Sequence, residues 1–373
     1  MDLIHALGVE IGVRPAGSEQ SAIAARLIAD AFRERGLSPS VQEFELTGYE
    51  PEEPVLEING ERWPAGPCFY APSTPPDGLS GVVRQIGSTE KPHNSDGSGT
   101  PVFTIEDSDG RERARIHVNS RGAAIPGLSR TPARVGGPAV CIGRDDGDRL
   151  AAIERPQARL RTAGKELPGL RDANVFARID GESPETIVVC AHFDSVWRGP
   201  GVIDNASGVE GMFRVLERLQ ASGPHARSLL FCAFAAEEVG LLGSRRFVTE
   251  AKIRGELDRI VGVLCLDCIA SGPTFELMAG PEELRGRARA IIQRHGLGQR
   301  YSVNVTPPQP GSDHVPFAEE GIPSVAITYH PYPEYHTPEE RLELVDEARL
   351  ADAVDIAVDL VESQLDAPSA RVN

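Results

Sequence analysis

Four continuous apolar runs separated by helix-like segments dominate the second half of this chain. They are TIVVCA (186–191), SLLFCAF (228–234), RIVGVLCLD (259–267) and IPSVAIT (322–328). A strand that is covered by helices on both faces loses the alternation of apolar and polar residues and becomes continuously apolar. The pattern therefore predicts an α/β fold with a doubly wound mixed sheet and helices on both faces.

Residues 49–166 have a different texture and predict a smaller β-rich inserted domain. Short β-like runs at 81–87, 101–105, 114–118 and 138–143 are separated by turn-rich pieces such as HNSDGSGT at 93–100. A chain of 373 residues is long enough for a large domain and a smaller one. We expect residues 1–48 and 167–373 to form the large domain.

The N-terminal part of the large domain begins with a capped amphipathic helix at 18–36. Ser18 is the predicted N-cap, and Ile23, Leu27 and Phe32 form the predicted apolar side. A strand is expected at 41–46, immediately after this helix.

Composition excludes several classes of partner. The 38 basic and 55 acidic residues give a net charge of −17, which repels phosphate backbones, so we expect no nucleic-acid partner. No apolar run approaches the roughly 18 residues needed to cross a bilayer, so we expect no membrane partner. The N-terminal residues do not resemble a signal peptide, and six scattered cysteines favour free thiols. We therefore expect a cytoplasmic location.

Titratable residues follow the apolar runs at positions where a parallel sheet presents its carboxyl ends. His192 and Asp194 follow the first run, and Asp204 comes ten positions after Asp194, beyond a turn of glycine and proline. Glu237 and Glu238 follow the second run. Each of these residues has an ordinary structural explanation, as a turn histidine, a helix N-cap or a favourable charge at a helix N-terminus.

The remaining runs extend the same pattern. RIVGVLCLD ends in Asp267, and the loop YHPYPEYHTPEE at 329–340 supplies His330 and His336. Nitrogen and oxygen ligands gathered from four strand ends suit a cation such as zinc, although cobalt and manganese accept the same ligand types. Cys265 and Cys268 are spaced as CxxC, but with no second pair we interpret them as packing residues.

The order of motifs resembles one enzyme family. HFD, DNASG, EEVGLLGS, a strand that ends in LD, SDHVPF and YHT occur in this order in the dizinc exopeptidases, which include aminopeptidase Y, bacterial leucyl aminopeptidases and glutamate carboxypeptidase II. The likeness covers residues 1–48 and about 167–373, and the inserted domain resembles the protease-associated domain of many members. It implies a metal-dependent exopeptidase that acts on peptide substrates. Because aminopeptidase activity predominates in this family, the resemblance implies an aminopeptidase that releases N-terminal residues with a water activated by two zinc ions.

The resemblance also implies a role for each motif residue. His192 and Asp267 would hold one zinc, Glu238 and His336 the other, and Asp204 would bridge the two ions. Glu237 would be the general base. Three residues would support the site without binding metal: Asp194, which would orient the His192 ring, and Asp313 and His314 of the SDH motif.

Three alternatives remain at this stage. A carboxypeptidase or dipeptidase could use the same scaffold, with Arg198 as a candidate for binding a substrate carboxylate. Related dizinc amidohydrolases share the HxD and EE motifs but place the bridging aspartate farther along the chain. A catalytically inactive binding protein is a third alternative, although such relatives are expected to lack ligands, and this chain carries all five.

Overall fold

The computed structural model describes residues 2–88, 101–119, 122–128 and 137–365. The turn-rich piece at 93–100 lies outside the described residues. The strands, in chain order, are β1 (Ser40–Pro51), β2 (Val55–Ile58), β3 (Glu61–Trp63), β4 (Gly66–Phe69), β5 (Leu79–Ser88), β6 (Pro101–Glu106), β7 (Glu112–Val118), β8 (Gly127–Leu128), β9 (Ala139–Ile142), β10 (Gln157–Arg161), β11 (Gly164–Ile179), β12 (Ser183–His192), β13 (Arg227–Phe234), β14 (Ile260–Leu266), β15 (Thr274–Gly280), β16 (Ser302–Thr306) and β17 (Ser324–His330).

Eight α-helices accompany these strands within the described residues. They are α1 (Leu3–His5), α2 (Glu19–Glu34), α3 (Arg144–Ala151), α4 (Gly208–Ala221), α5 (Leu242–Ile253), α6 (Glu282–Arg294), α7 (Val315–Glu319) and α8 (Glu347–Leu365). Within the same residues, each helix is too short or too polar to cross a bilayer.

Internal contacts divide the chain into two compact units. The first comprises Met1–Leu46, Arg171–Pro331 and Pro338–Asn373, and the second comprises Thr47–Leu170 and Tyr332–Thr337. The second unit contains a sheet in the order β3-β2-β10-β5-β6-β7-β9-β4-β8. Its core includes Leu56, Trp63, Phe103, Ile116 and Leu160. All four β-like runs predicted between residues 81 and 143 are strands of this sheet.

The first unit contains a mixed sheet in the order β1-β11-β13-β12-β14-β17-β15-β16. Its centre is parallel, since β12 pairs in parallel with both β13 and β14, and β14 pairs in parallel with β17. The flanking strands β11 and β15 run antiparallel to their neighbours β13 and β17. The predicted α/β class with a mixed sheet is confirmed, and the carboxyl ends of the central strands lie at one edge.

Helices cover both faces of this sheet. On one face, Val188 and Cys190 of β12 pack in a cluster with Phe247 of α5 and Phe317 of α7. Helices α4 and α8 contact each other, and both contact β12 and β14. This double cover explains why the central strands are continuously apolar in sequence.

Helix α2 forms where the sequence predicts a helix, but with a different buried face. The Ser18 side chain accepts a hydrogen bond from the Ser21 amide at 3.1 Å, as expected for an N-cap. Ile23, however, is 37% exposed, whereas Ala24, Ile28 and Phe32 are fully buried. The assignment of Ile23 to the buried side was wrong, because alanine carries little apolar signal yet allows close packing of a helix.

A buried carboxylate links this helix to β11. Asp172 accepts hydrogen bonds from the Gly17 amide at 2.7 Å, from the Ser21 hydroxyl at 2.9 Å and from the Ala173 amide at 2.9 Å. Burial raises the pKa of Asp172 to about 6, against the hydrogen bonds, which lower it. The folded state therefore holds this proton more tightly than the unfolded chain does.

We expect this proton to make the stability of the chain depend on pH. The contribution of Asp172 is fully present below its unfolded pKa of about 4 and is lost as pH rises through about 6. Asp172→Asn cannot titrate, so its unfolding free energy should improve relative to wild type between pH 4 and 7, by about 2–3 kcal/mol. Urea unfolding of both proteins at four pH values measures this change. A difference that stays constant over the range would contradict the assigned pKa.

Candidate metal centre

Side chains converge at the carboxyl edge of the central strands in the first unit. His192 is the last residue of β12 and lies in register with Phe234 at the end of β13. Asp267 follows β14, and its amide donates a hydrogen bond to Ile327 of β17 at 3.1 Å. Because these strands are parallel and adjacent, the residues that follow them are brought to the same edge.

The His192 ring is surrounded by carboxylates. Its Nε2 atom lies 3.1 Å from Asp204 Oδ1 and 3.6 Å from Asp267 Oδ1, and the side chain is 1% exposed. Although burial alone lowers the pKa of His192, interactions of its ring with the carboxylates of Asp194, Asp204 and Asp267 raise that pKa well above its usual value. The surroundings of Nε2 therefore demand a positive charge, which either a proton or a metal ion can supply.

Asp194 lies on the other side of the ring and connects it to the paired glutamates. His192 Nδ1 is 3.2 Å from the Asp194 main-chain oxygen and 3.5 Å from its carboxylate. The same carboxylate accepts hydrogen bonds from the amides of Glu237 at 3.0 Å and Glu238 at 3.2 Å. Asp194 thus holds the chain that follows β13 as well as the ring that ends β12.

The two glutamates are buried, with 8% of Glu237 and 3% of Glu238 exposed. Burial raises the pKa of Glu237 well above its usual range, and the neighbouring Glu238 and Asp267 raise it further, while His192 lowers it. A carboxyl group with a raised pKa can both accept and return a proton closer to neutral pH than an ordinary glutamate.

The described residues contain two sets of possible ligand atoms, and within each set all the atoms lie within 4.8 Å of one another. One set is His192, Asp204 and Glu238, and the other is Asp204, Asp267 and Cys268. Asp204 belongs to both sets, and Asp267 Oδ1 is buried without a hydrogen-bond partner. These donors fit a metal ion, because several carboxylates that face one imidazole are stabilised by a cation.

The two sets of neighbouring ligand atoms differ from the pairs of ligands that the resemblance assigns to each zinc ion. His192 shares a set with Glu238, whereas the resemblance assigns these residues to different ions. Cys268, which we interpreted as a packing residue, offers its sulfur to the second set. The pairing of ligands with individual ions stays a prediction.

Asp313 and His314 are fully buried. Burial raises the pKa of Asp313 well above its usual range, and a favourable interaction with His192 opposes this shift. His314 Nε2 lies 3.0 Å from the main-chain oxygen of Gln309. Asp313 is thus close enough to the ligand cluster to feel its charge, while the Nε2 atom of His314 faces a loop carbonyl.

His336 belongs by its contacts to the second unit, within Tyr332–Thr337. Its ring stacks on Tyr335 with 3.7 Å between centroids, and its side chain is buried. The other histidine of this loop, His330, ends β17, where its Nε2 lies 2.8 Å from Thr328 Oγ1. The proposed ligand role of His336 rests on the sequence motif.

Two residues at the site escaped sequence analysis. Glu340 Oε1 accepts hydrogen bonds from the amides of Ile203 at 2.7 Å and Asp204 at 2.8 Å. Arg14 donates to main-chain oxygens of the loop that leads from His192 to Asp204. Both act on backbone atoms of an irregular loop, so no periodic pattern marks them, although Glu340 follows His336 within the quoted loop motif.

Comparisons with known proteins give a consistent result. Residues 174–361 match the model of peptidase family M28. The chain is 28% identical to aminopeptidase YwaD of Bacillus subtilis over 95% of its own length and 81% of that protein. It is 27% identical to leucine aminopeptidase 1 of Trichophyton rubrum, over 52% of its length and 60% of that protein.

Solved structures agree with the sequence comparison. The structure of BSAP, a zinc aminopeptidase from Bacillus subtilis, superposes with a TM-score of 0.71 at 25% identity and covers 99% of this chain and 96% of that chain. A peptidase M28 precursor from Shewanella amazonensis gives a TM-score of 0.77 over 100% of this chain and 95% of that chain. Its identity of 17% supports the fold alone.

Proposed function

Since this chain belongs to peptidase family M28, we propose that it is a metal-dependent aminopeptidase that releases N-terminal residues from peptides. The observation that carries the proposal is the convergence of His192, Asp204, Glu238 and Asp267 at one sheet edge, beside Glu237. The named aminopeptidases among its relatives support the same activity.

We propose that two zinc ions occupy this edge, and cobalt and manganese suit the same donors. His192 and Asp267 would hold one ion, and Glu238 and His336 the other. The place of Asp204 in both ligand sets supports a bridging role. When bound, zinc supplies Lewis acidity, which lowers the pKa of a coordinated water to about 7 and polarises a substrate carbonyl.

Glu237 is proposed as the general base and acid. Its amide is held by Asp194, so the side chain starts from a fixed point beside the ligands. Its carboxyl would take a proton from the attacking water and return it to the leaving amine, a task that suits its raised pKa. Glu238 would not replace it in this role, because its oxygens would be bound to the cation.

Three residues would position these groups without touching substrate. Asp194 holds the His192 ring on one side and the amides of both glutamates on the other. Asp313 and His314 would support the cluster from the buried side, since both are 0% exposed. Replacing a residue that hydrogen-bonds to a metal ligand commonly lowers metal affinity or activity by roughly 10–100-fold.

The alternative activity is a carboxypeptidase or dipeptidase. Its candidate carboxylate-binding residue, Arg198, is exposed and lies over the ring of Trp197 at 4.1 Å. This stacking arrangement does not by itself favour a carboxylate site. We also propose, on the resemblance, that residues 49–166 form a protease-associated-like domain and that the partners of the protein are peptide substrates.

We keep a cytoplasmic location as a proposal. All six cysteines lie in described residues, are buried and form no disulfide bond. Cysteines without disulfide bonds are usual in a reducing compartment.

Purified protein should hydrolyse aminoacyl anilides and lose this activity when a chelator removes its metal. The rate should fall by about two orders of magnitude or more, because the Lewis acidity of the metal lowers the activation barrier by several kcal/mol. Added zinc or cobalt should restore the rate. Undiminished hydrolysis by protein shown to be free of metal would overturn the proposal.

Blocked peptides separate the two activities. An aminopeptidase should cleave a tripeptide with a free N-terminus and an amidated C-terminus, and should leave intact an N-acetylated tripeptide with a free C-terminus. The reverse result would show a carboxypeptidase.

A further inference from the structure

A buried arginine near the N-terminus is bonded to the loop that carries Asp204. Arg14 is 0% exposed, and its guanidinium donates hydrogen bonds to five main-chain oxygens. Two of these, on Leu7 and Gly12, belong to the N-terminal segment. The other three belong to the loop, on Phe193, Pro200 and Gly201.

Backbone atoms of Arg14 reinforce this attachment. Its amide donates to Ser195 Oγ at 3.0 Å, and its carbonyl accepts from the Ser195 amide at 3.2 Å. The Gly201 carbonyl, 2.8 Å from Arg14 Nη2, also accepts from the Ala206 amide at 3.1 Å. Arg14 therefore contacts the loop at its beginning, near its middle and at the turn before Asp204.

Packing at that turn leaves no room for a side chain at position 201. Gly201 has a positive φ of 60°, and a Cβ added there would lie 2.4 Å from the Asp204 carbonyl and 3.0 Å from Arg14 Nη2. Only glycine fits this position without displacing either group. The guanidinium thus forms one wall of the turn that delivers Asp204.

Glu340 holds the end of the same loop through complementary groups. It accepts hydrogen bonds from the Ile203 and Asp204 amides, whereas Arg14 binds loop carbonyls. Glu340 thus accepts from two amides of the loop, and Arg14 donates to three of its carbonyls, so these buried backbone groups have hydrogen-bond partners.

The charge of Arg14 also suits this place. Burial lowers the pKa of Arg14 to about 10, so the guanidinium keeps its charge at neutral pH, and Asp194, Glu340, Asp204 and Glu238 favour that charge. The hydrogen bonds of the guanidinium run to carbonyl oxygens, so it lies beside the acidic ligands without occupying their oxygens. A cation can therefore still bind those carboxylates.

We propose that Arg14 is a positioning residue for the metal centre, which fixes the 193–204 loop so that Asp204 faces His192 in the geometry that binds metal. The inference rests on the proposed metal-dependent function. It assigns a role to an N-terminal residue outside the stretch that matches the family model.

Arg14→Lys tests the role, because an ammonium group cannot fork to the same set of carbonyls. Two measurements are made on metal-free protein in a W63F background, where Trp197 is the remaining tryptophan. Trp63 Nε1 is buried without a hydrogen-bond partner, so phenylalanine removes no bond there. One measurement is the Trp197 emission spectrum, and the other is a titration with Co²⁺ alone.

We expect Arg14→Lys to shift Trp197 emission to the red and to weaken Co²⁺ binding by about 10–100-fold. Arg227→Lys is the matched control. Arg227, at the start of β13, is 7% exposed and donates hydrogen bonds to Glu185 and to the Gln364 carbonyl. Arg227→Lys should therefore lose stability without a red shift of Trp197 emission and without weaker Co²⁺ binding. Normal emission and normal Co²⁺ affinity in folded Arg14→Lys would overturn the proposal.

Two further outcomes are covered by the design. If Arg14→Lys does not fold, Ser195→Ala removes the hydroxyl that accepts from the Arg14 amide and should produce the same two changes to a smaller extent; no change would overturn the proposal. If the wild-type protein binds no Co²⁺, the proposed function fails. The emission comparison still decides the role of Arg14, because it needs no metal.

Discussion

Glu237→Gln should lower the turnover of an aminoacyl anilide by about two orders of magnitude or more while the protein keeps its metal. Glutamine has the size of glutamate and retains one acceptor oxygen, but it cannot take a proton from water. The Asp194 hydrogen bond to position 237 comes from the main-chain amide, so the substitution leaves that contact in place. A loss of rate would therefore result from the missing base, and not from a displacement of the chain segment that follows β13.

The neighbouring glutamate provides the matched control. Glu238→Gln changes the same functional group one residue away, at a position that shares a ligand set with His192 and Asp204. This variant should lose metal, whereas Glu237→Gln should not. Metal content measured on both proteins, together with rates at saturating zinc, separates the roles. A near-normal rate for Glu237→Gln with metal bound would show that another group acts as the base.

Asp204→Asn should weaken metal binding by more than about 100-fold, which is more than the loss usually caused by replacing a partner of a ligand. Asp204 belongs to both ligand sets, and its Oδ1 lies 3.1 Å from His192 Nε2. Asparagine removes one negative charge and one acceptor oxygen. If Asp204 bridges two ions, both should be affected, so a Co²⁺ titration should show weaker binding in every phase.

A second aspartate that contacts a histidine controls for general effects of this change. Asp359 Oδ2 lies 2.7 Å from His295 Nε2 and also pairs with Arg294. Asp359→Asn should reduce stability slightly and leave the Co²⁺ titration unchanged. Wild-type metal affinity in Asp204→Asn would remove Asp204 from the metal centre and, with it, the bridged arrangement.

Elements with a strong local pattern were predictable. The four continuous apolar runs became β12, β13, β14 and β17, because burial on both faces leaves the same mark in any parallel sheet. The α/β class and the family resemblance, which rested on these runs and on the motifs between them, are confirmed. The buried face of α2 was missed, since alanines define it and their apolar signal is weak.

The candidate site divides in a similar way. His192, Asp204, Glu238 and Asp267 could be identified because each follows a strand or opens a helix, and parallel strands bring such positions to one edge. Arg14 could not be identified in this way. Its partners in the Asp204 loop are carbonyl oxygens 179 to 187 residues away, and every residue type presents the same carbonyl.

The sequence by itself determined which strands form, their burial and which chemical groups follow them, because these properties depend on residue type and local spacing. Tertiary structure alone decided that Asp194 contacts both the His192 ring and the amides of the two glutamates. It also decided that Arg14 donates hydrogen bonds to carbonyls of the Asp204 loop and that Glu340 accepts them from its amides. Those contacts run through backbone atoms, whose positions depend on the folded path of the chain and leave no trace in residue identity.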